Sequence, residues 1–330
     1  IPLVLQQPAS LTFAWNQDTH RLALASDDLA GSYTASDDSL VSAPVRQGGN
    51  EQFYFIMTDR FANGDTSNDT GGLTGGRSVT GLDPTDEGYY HGGDIQGIID
   101  HLDYIQSLGT TAVWLTPSFT NKPTQGEGAN ESAGYHGYWV TDFTSIDPHL
   151  GGNAALAKLR DALHARGMKL YLDIITNHTA DLIDYKEGQY SYVDTATKPY
   201  TDAAGNTIDI SALANKDGFP TLSATSSFPY TPVRKGTVIP DALNDVTLYH
   251  NRGNSTWTGE SVTMGDFDGL DDLMTENPKV EKTFENVYET WMDFGVDGFR
   301  IDTVKHVNFD FWKTWTTAVD AHAAQTNPDF

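Results

Sequence analysis

Val296-Asp297-Gly298-Phe299-Arg300-Ile301-Asp302-Thr303-Val304-Lys305-His306 is the stretch on which a reading of this chain turns. Gly298 to Ile301 has the character of a short buried strand, and its end delivers the carboxylate of Asp302. Arg300 lies two residues earlier, so strand alternation points both side chains the same way. A guanidinium beside a carboxylate keeps the acid ionised and fixes its direction. A charged, aimed carboxylate suits attack on the anomeric carbon of a sugar. A structural Asp–Arg pair at a strand end is the plainer alternative.

Working outward, the chain repeats strand, loop and helix from Glu51 onward. Apolar runs predict strands over Phe53–Met57, Thr111–Leu115 and Lys169–Ile175, with the fourth ending at Asp302. Helical spacing predicts helices over Gln96–Leu108, Asn153–Arg166, Pro278–Phe294 and Phe309–Ala323, three of them stopped by Gly109, Gly167 and Gly295. Strands alternating with helices imply an α/β fold with a parallel sheet. Between Ala180 and Pro278 the periodicity is lost, and so long an irregular stretch reads as a small inserted domain over 180–277. The barrel-like pattern therefore covers 51–179 and 278–330. Residues 1–50 differ: Leu11, Phe13 and Trp15 alternate with Thr12 and Ala14, and Arg21–Ser26 suggests a second strand. A polar run up to Gly48-Gly49-Asn50 reads as a linker.

The chemistry gathers where the strands end, which is where a (β/α)8 barrel builds its active site. Asp59 and Arg60 follow the first strand; Asp173, Asn177 and His178 follow the third. The second repeat leads into Gly134-Tyr135-His136-Gly137-Tyr138-Trp139. Any one of these has a structural explanation, but four clusters at successive strand ends are hard to ascribe to packing. Composition narrows the partner. The net charge of -25 repels nucleic acid and anionic membranes and favours neutral substrates or bound cations. With 7 Trp and 15 Tyr the chain is rich in flat faces for stacking on rings. It has no cysteine, which excludes disulfides and thiolate metal sites. No apolar run approaches the roughly 20 residues of a membrane span. Ile1-Pro2-Leu3 lacks the basic start of a signal peptide, so any such segment is expected to have been removed already.

From Glu51 to the end the chain resembles the α-amylase family of glycoside hydrolases (family 13). The likeness rests on Asp173-Ile174-Ile175-Thr176-Asn177-His178, on Gly269-Leu270-Asp271-Asp272-Leu273, and on Gly298-Phe299-Arg300-Ile301-Asp302-Thr303-Val304-Lys305-His306. Tyr135-His136-Gly137-Tyr138-Trp139 and His91-Gly92-Gly93-Asp94 add to it. The resemblance implies a (β/α)8 TIM barrel with an inserted B domain, and a secreted enzyme acting on starch-like α-glucans. It makes Asp302 the nucleophile of a retaining glycosidase and Arg300 its orienting partner. His136 and His178 would bond the sugar being cleaved, Tyr138 would stack on it, and Asp173 would structure the centre of the site. Lys305 and His306 would contact the next sugar on the leaving side.

The family likeness also implies calcium, and the oxygen-rich spacing suits it. One expected site joins Asn177, Asp272 and the carbonyl of His306. A second uses Asn63, Asp65, Asn68, Asp69, Gly92 and Asp94, similar to a site in cyclodextrin-forming relatives. The departure from the family lies at the end. Retaining hydrolysis needs a second carboxyl about 5 Å from the nucleophile, a Glu in this family, and no Glu follows Asp302. Only about four barrel strands are recognisable, so this is expected to be a piece of a longer enzyme with its general acid downstream. A half barrel would leave an open edge. The reading is an endo-acting retaining hydrolase of α-1,4-glucans. Alternatives are a cyclodextrin glucanotransferase, a maltogenic amylase, the amylase half of an amylase–pullulanase, or a non-catalytic glucan-binding protein.

Overall fold

The computed structural model describes residues 51–330 and, for their backbone pairing alone, Phe13–Asn16 and Arg21–Leu24. Those two segments form an antiparallel hairpin with Phe13 opposite Leu24. They belong to a unit spanning Ile1–Gly49, while Asn50–Phe330 makes a second. The expected linker up to Asn50 and the residues flanking the hairpin lie outside the described residues.

The second unit is organised by a four-stranded parallel sheet: β1 (Phe53–Ile56), β2 (Ala112–Leu115), β3 (Lys169–Ile174) and β4 (Gly298–Ile301), in the order β4-β3-β2-β1. Alternation gives it two unlike faces. Ile56, Val113, Leu115, Leu170, Leu172 and Ile174 are all buried on one. Phe53, Phe55, Trp114 and Tyr171 share the other, paired as Phe53 on Tyr171 at 4.8 Å and Phe55 on Trp114 at 4.4 Å. Phe53 and Phe55 remain about half exposed, at 50% and 48%. The register sets Arg300 opposite Asp173 and Gly298 opposite Tyr171. Gly298 is required there, because a Cβ would fall 2.2 Å from the Tyr171 ring.

Helices cover the buried face. They are α1 (Ile95–Asp100), α2 (Leu102–Ser107), α3 (Gly152–His164), α4 (Pro278–Phe294) and α5 (Phe309–Thr326). α4 shows its signals plainly: the Asn277 side chain accepts from Lys279 N, Pro278 takes the first position, and Gly295 ends it at φ +97°. Its Val280, Phe284, Val287, Tyr288 and Trp291 recur at helical spacing and are buried in the main core. The single helix expected over Gln96–Leu108 is broken at His101, whose ring Nδ1 lies 2.7 Å from the carbonyl of Gly97 and whose backbone leaves the helical region.

The sheet order and covering helices are those of part of a barrel. Two further features position the site. Phe119–Asn121 pairs antiparallel with Val140–Ile146, carrying the Gly134–Trp139 turn towards the carboxyl ends of the strands. The segment after Ala180 is tied off at its neck: Leu273 N bonds Asn177 O at 2.8 Å and Thr179 N bonds Asp271 O at 3.1 Å. Beyond that neck it has a small core of its own, formed by Tyr200, Ile210, Leu222, Phe228, Met264 and Met274.

Candidate active site

Strand register builds the centre of the site. Because Arg300 sits opposite Asp173 on adjacent parallel strands, one guanidinium reaches both carboxylates. Arg300 Nη1 donates to Asp302 Oδ1 at 2.6 Å and to Asp173 Oδ1 and Oδ2 at 2.9 and 3.1 Å. Asp173 is fully buried. It also accepts from Trp114 Nε1 at 3.1 Å and, at 3.4 Å, from the Tyr138 hydroxyl. Burial nevertheless holds its carboxyl up at about 6, against the pull of Arg300. The two carboxylates in turn outweigh burial and push the Arg300 pKa above its ordinary value.

Around this centre lie flat, uncharged groups. The His136 and Tyr138 rings stack at 5.7 Å with 23° between planes, and Tyr138 N donates to His136 Nδ1 at 3.0 Å. His178 Nε2 lies 3.2 Å from the Tyr138 carbonyl. Burial lowers both imidazoles to about 4, so each is neutral near pH 7. Burial and the nearby Asp173 and Asp302 drive the Tyr138 hydroxyl well up, leaving it a neutral donor. The hairpin carrying His136 and Tyr138 admits no side chain at Gly137: φ is +89° and a Cβ would fall 1.8 Å from Pro117 O. Thr303, immediately after Asp302, adopts φ +53°, a left-handed conformation uncommon for a β-branched residue.

The other expected residues divide. Asp59 accepts from the backbone N–H groups of His91 and Gly92 and is ion-paired to Arg60, whose guanidinium stands 3.9 Å over the Tyr135 ring. That pair braces the rim. Lys305 is exposed on the Val304–His306 turn. The His306 ring is largely buried, with Nδ1 2.7 Å from Val262 O and its face 4.5 Å from Phe267. That bond fixes the ring and leaves Nε2 as the nitrogen that could meet a sugar.

A family model described as the catalytic domain of α-amylase matches residues 55–328. The chain belongs to the α-amylase family. An α-amylase of Streptomyces lividans is 50% identical over 285 residues, which is 84% of this chain and 31% of that protein. A cyclomaltodextrin glucanotransferase of Geobacillus stearothermophilus is 30% identical over 272 residues, 81% of this chain and 32% of that one. Among solved structures, an Anoxybacillus α-amylase superimposes with a TM-score of 0.57 at 31% identity, covering 84% of this chain and 46% of that one. The chain thus spans less than half the length of these relatives.

For an α-amylase-family chain the oxygen-rich groups bear on metal. Among the described residues no three His, Asp or Glu side chains gather round one point, so amide and carbonyl oxygens would have to complete any shell. At the first expected site Asn177 and Asp272 both lie at the neck of the insert, where Asp272 bridges to His178 and Leu273 N bonds Asn177 O, and both are 1% exposed. Asp272 Oδ2 is already held by His250 Nδ1 at 2.6 Å, and His250 Nε2 lies 3.0 Å from Glu276. The amide and carboxylate donor set fits a hard cation, with that oxygen shared. At the second, the Asp94 carboxylate accepts from Gly64 N, Asp65 N, Gly97 N and Asn68 Nδ2, and so caps α1. Asn68 Oδ1 is buried without a hydrogen-bond partner, and Asn63 Nδ2 donates to Asp69 Oδ1 at 2.7 Å. A Cβ on Gly92 would fall 2.6 Å from Asn63 Nδ2 and 2.9 Å from Asp69 Oδ1, so glycine lets these side chains approach. The orphaned amide oxygen fits a bound cation.

Sequence reasoning missed Trp114, although its place two residues into β2 and the sheet register set it on the face of Asp173 and Arg300. It also missed Phe267, whose ring lies 5.6 Å from that of His178, because the insert carries no periodicity to read.

Proposed function

We propose that the protein to which this chain belongs is a retaining, endo-acting hydrolase of α-1,4-linked glucans such as starch. The observation that carries this is the single guanidinium of Arg300, which holds Asp302 at 2.6 Å while anchored to the buried Asp173. In this reading Asp302 attacks the anomeric carbon and forms a glycosyl-enzyme, which water then resolves. Asp173 is sealed from solvent and engaged by Arg300, Trp114 and Tyr138, so it orients rather than donates a proton. The proton for the leaving oxygen comes from a second carboxyl, which retention requires at about 5 Å from the nucleophile. Neutral His136, His178 and Tyr138 offer polar atoms and a flat face to a neutral sugar without adding charge.

Hydrolysis is preferred over glycan transfer because the α-amylase relative is 50% identical and the glucanotransferase 30%. Product analysis of the full-length protein on starch, pullulan and cyclodextrin separates the two, and also tests the maltogenic and pullulanase alternatives. Asp302→Asn in that protein is expected to remove starch hydrolysis by several orders of magnitude. Activity surviving within about tenfold places the nucleophile elsewhere and favours a glucan-binding role. Calcium at the two oxygen-rich sites, tying the insert and the Asn63–Asp69 loop in place, belongs to the same reading, as does secretion. A chelator is then expected to lower the thermal midpoint, and calorimetry to detect calcium binding.

A further inference from the structure

β3 ends at Ile174, whose carbonyl accepts from Asp302 N at 2.9 Å. The residues that follow, Ile175 to His178, leave the sheet and carry the His178 ring to the centre of the site. Peptide groups that leave a strand ladder inside the protein need partners from elsewhere. At Ile175 a single phenol supplies them. Ile175 N donates to the Tyr288 hydroxyl at 3.2 Å, and that hydroxyl donates to Ile175 O. Ile175 and Tyr288 are both fully buried.

Tyr288 comes from the middle of α4, and its ring has little freedom. Phe284 stacks on it at 5.8 Å, Phe299 of β4 lies 5.5 Å away, and Trp315 of α5 meets it edge-on at 5.9 Å. Burial keeps the phenol protonated, so it can donate and accept at once. It fixes the near end of the departing segment, while Leu273 N fixes the far end by bonding Asn177 O at 2.8 Å. His178 follows directly, with Nε2 3.2 Å from the Tyr138 carbonyl. Asp173 lies earlier, within β3, where the sheet register and Arg300 already hold it. Phenylalanine would fill the aromatic cage as well as tyrosine does. The hydroxyl instead directs both its bonds to the peptide from which the His178 segment departs.

We propose that Tyr288 is a positioning residue for the reaction, anchoring the Ile175 peptide and thereby aiming His178 at the sugar attacked by Asp302. The inference rests on the glucan reading above, and the test keeps the two apart. Starch hydrolysis is measured on the full-length protein, well below its thermal midpoint, for the parent, Tyr288→Phe, His178→Ala and the double variant. Tyr288→Phe keeps the caged ring and removes only the hydroxyl. It should lower kcat about tenfold with KM within about twofold of the parent, because a misaimed group that acts in the transition state is felt in kcat. With His178→Ala already present, it should change kcat by less than about twofold. Trp315→Phe, at a side chain whose Nε1 has no hydrogen-bond partner, loosens the cage without touching the hydroxyl. It should lower the thermal midpoint and leave kcat unchanged. Equal kcat losses with and without His178, or a Tyr288→Phe kcat within about twofold of the parent, overturn the proposal. So does a kcat loss for Trp315→Phe as large as that for Tyr288→Phe, which would mark a packing role. A parent inactive on starch would sink the glucan reading and this proposal together, whereas an active parent with any of those three results sinks this proposal alone.

Discussion

Arg300→Gln is the most revealing perturbation of the centre, because one side chain there serves two carboxylates. Its removal leaves Asp173, fully buried, with only Trp114 and Tyr138 as side-chain donors. Taking the partner from a buried charge costs about 3–5 kcal/mol. Arg300 is itself 39% exposed, so the lower end, about 3 kcal/mol, is expected. The pH dependence has a definite sign. Burial raises the Asp173 carboxyl to about 6 in the folded protein, above the ordinary carboxylate range. A raised acid pKa costs stability as pH climbs from the unfolded value to the folded one, and the cost then levels off. Without Arg300 the folded pKa rises further, so the cost keeps growing through neutrality. The deficit of the variant should therefore be about 1 kcal/mol near pH 4.5, mostly lost hydrogen bonds, and near its full value at pH 8. Adding Asp173→Asn removes the orphaned charge and should recover at least half of the pH 8 loss, while hydrolysis stays abolished because Asp302 is no longer held. The assay is denaturant unfolding at the two pH values for both single variants and the double. A deficit that does not change with pH, or single-variant losses that simply add, would refute the shared-guanidinium argument.

Three further outcomes follow from the described geometry. Gly137→Ala should cost at least about 2 kcal/mol in denaturant unfolding and weaken substrate binding, since its Cβ would collide with Pro117 O and displace His136 and Tyr138. Phe284→Ala, at a fully buried side chain packed on Phe143 and Tyr288, should cost about 3–5 kcal/mol by the same measurement. His149→Gln tests a buried imidazole whose Nδ1 lies 2.8 Å from Asp147 and whose Nε2 lies 2.8 Å from Thr80 O. Burial opposes its charge, but Asp147 outweighs that and raises the pKa. The stabilisation is then complete below about pH 6.5 and lost as pH rises through the folded value, so the variant's thermal midpoint should fall more at pH 5.5 than at pH 9.

Much of this was legible in the sequence where periodicity and punctuation agreed. The four strands begin and end within about a residue or two of where apolar runs place them, and α4 lies as its Pro278 and Gly295 predict. The helix over 96–108 was misjudged because apolar spacing continues through His101, while the break depends on a ring bonding a carbonyl one turn back. The Asp302–Arg300 pairing followed from alternation within one strand. Its link to Asp173, and the part played by Trp114, needed the register between strands, which no local pattern carries. Phe267 was invisible because the insert folds by scattered hydroxyl and aromatic contacts rather than by a repeating face. The bond that fixes the His306 ring comes from Val262, 44 residues away in sequence, and no local pattern announces it.

The neck of the insert has a consequence for how such a chain changes over generations. Asn177 and Thr179 are laced by their backbones to Leu273 and Asp271, and those bonds do not depend on the side chains lying between. Loops beyond that knot that do not join the main core, unlike Val238, Leu243 and Tyr249, can be lengthened or shortened without tugging on the strand that delivers Asp173. Natural variation can therefore accumulate in those loops, while the strands that carry Asp173 and Arg300 keep their register.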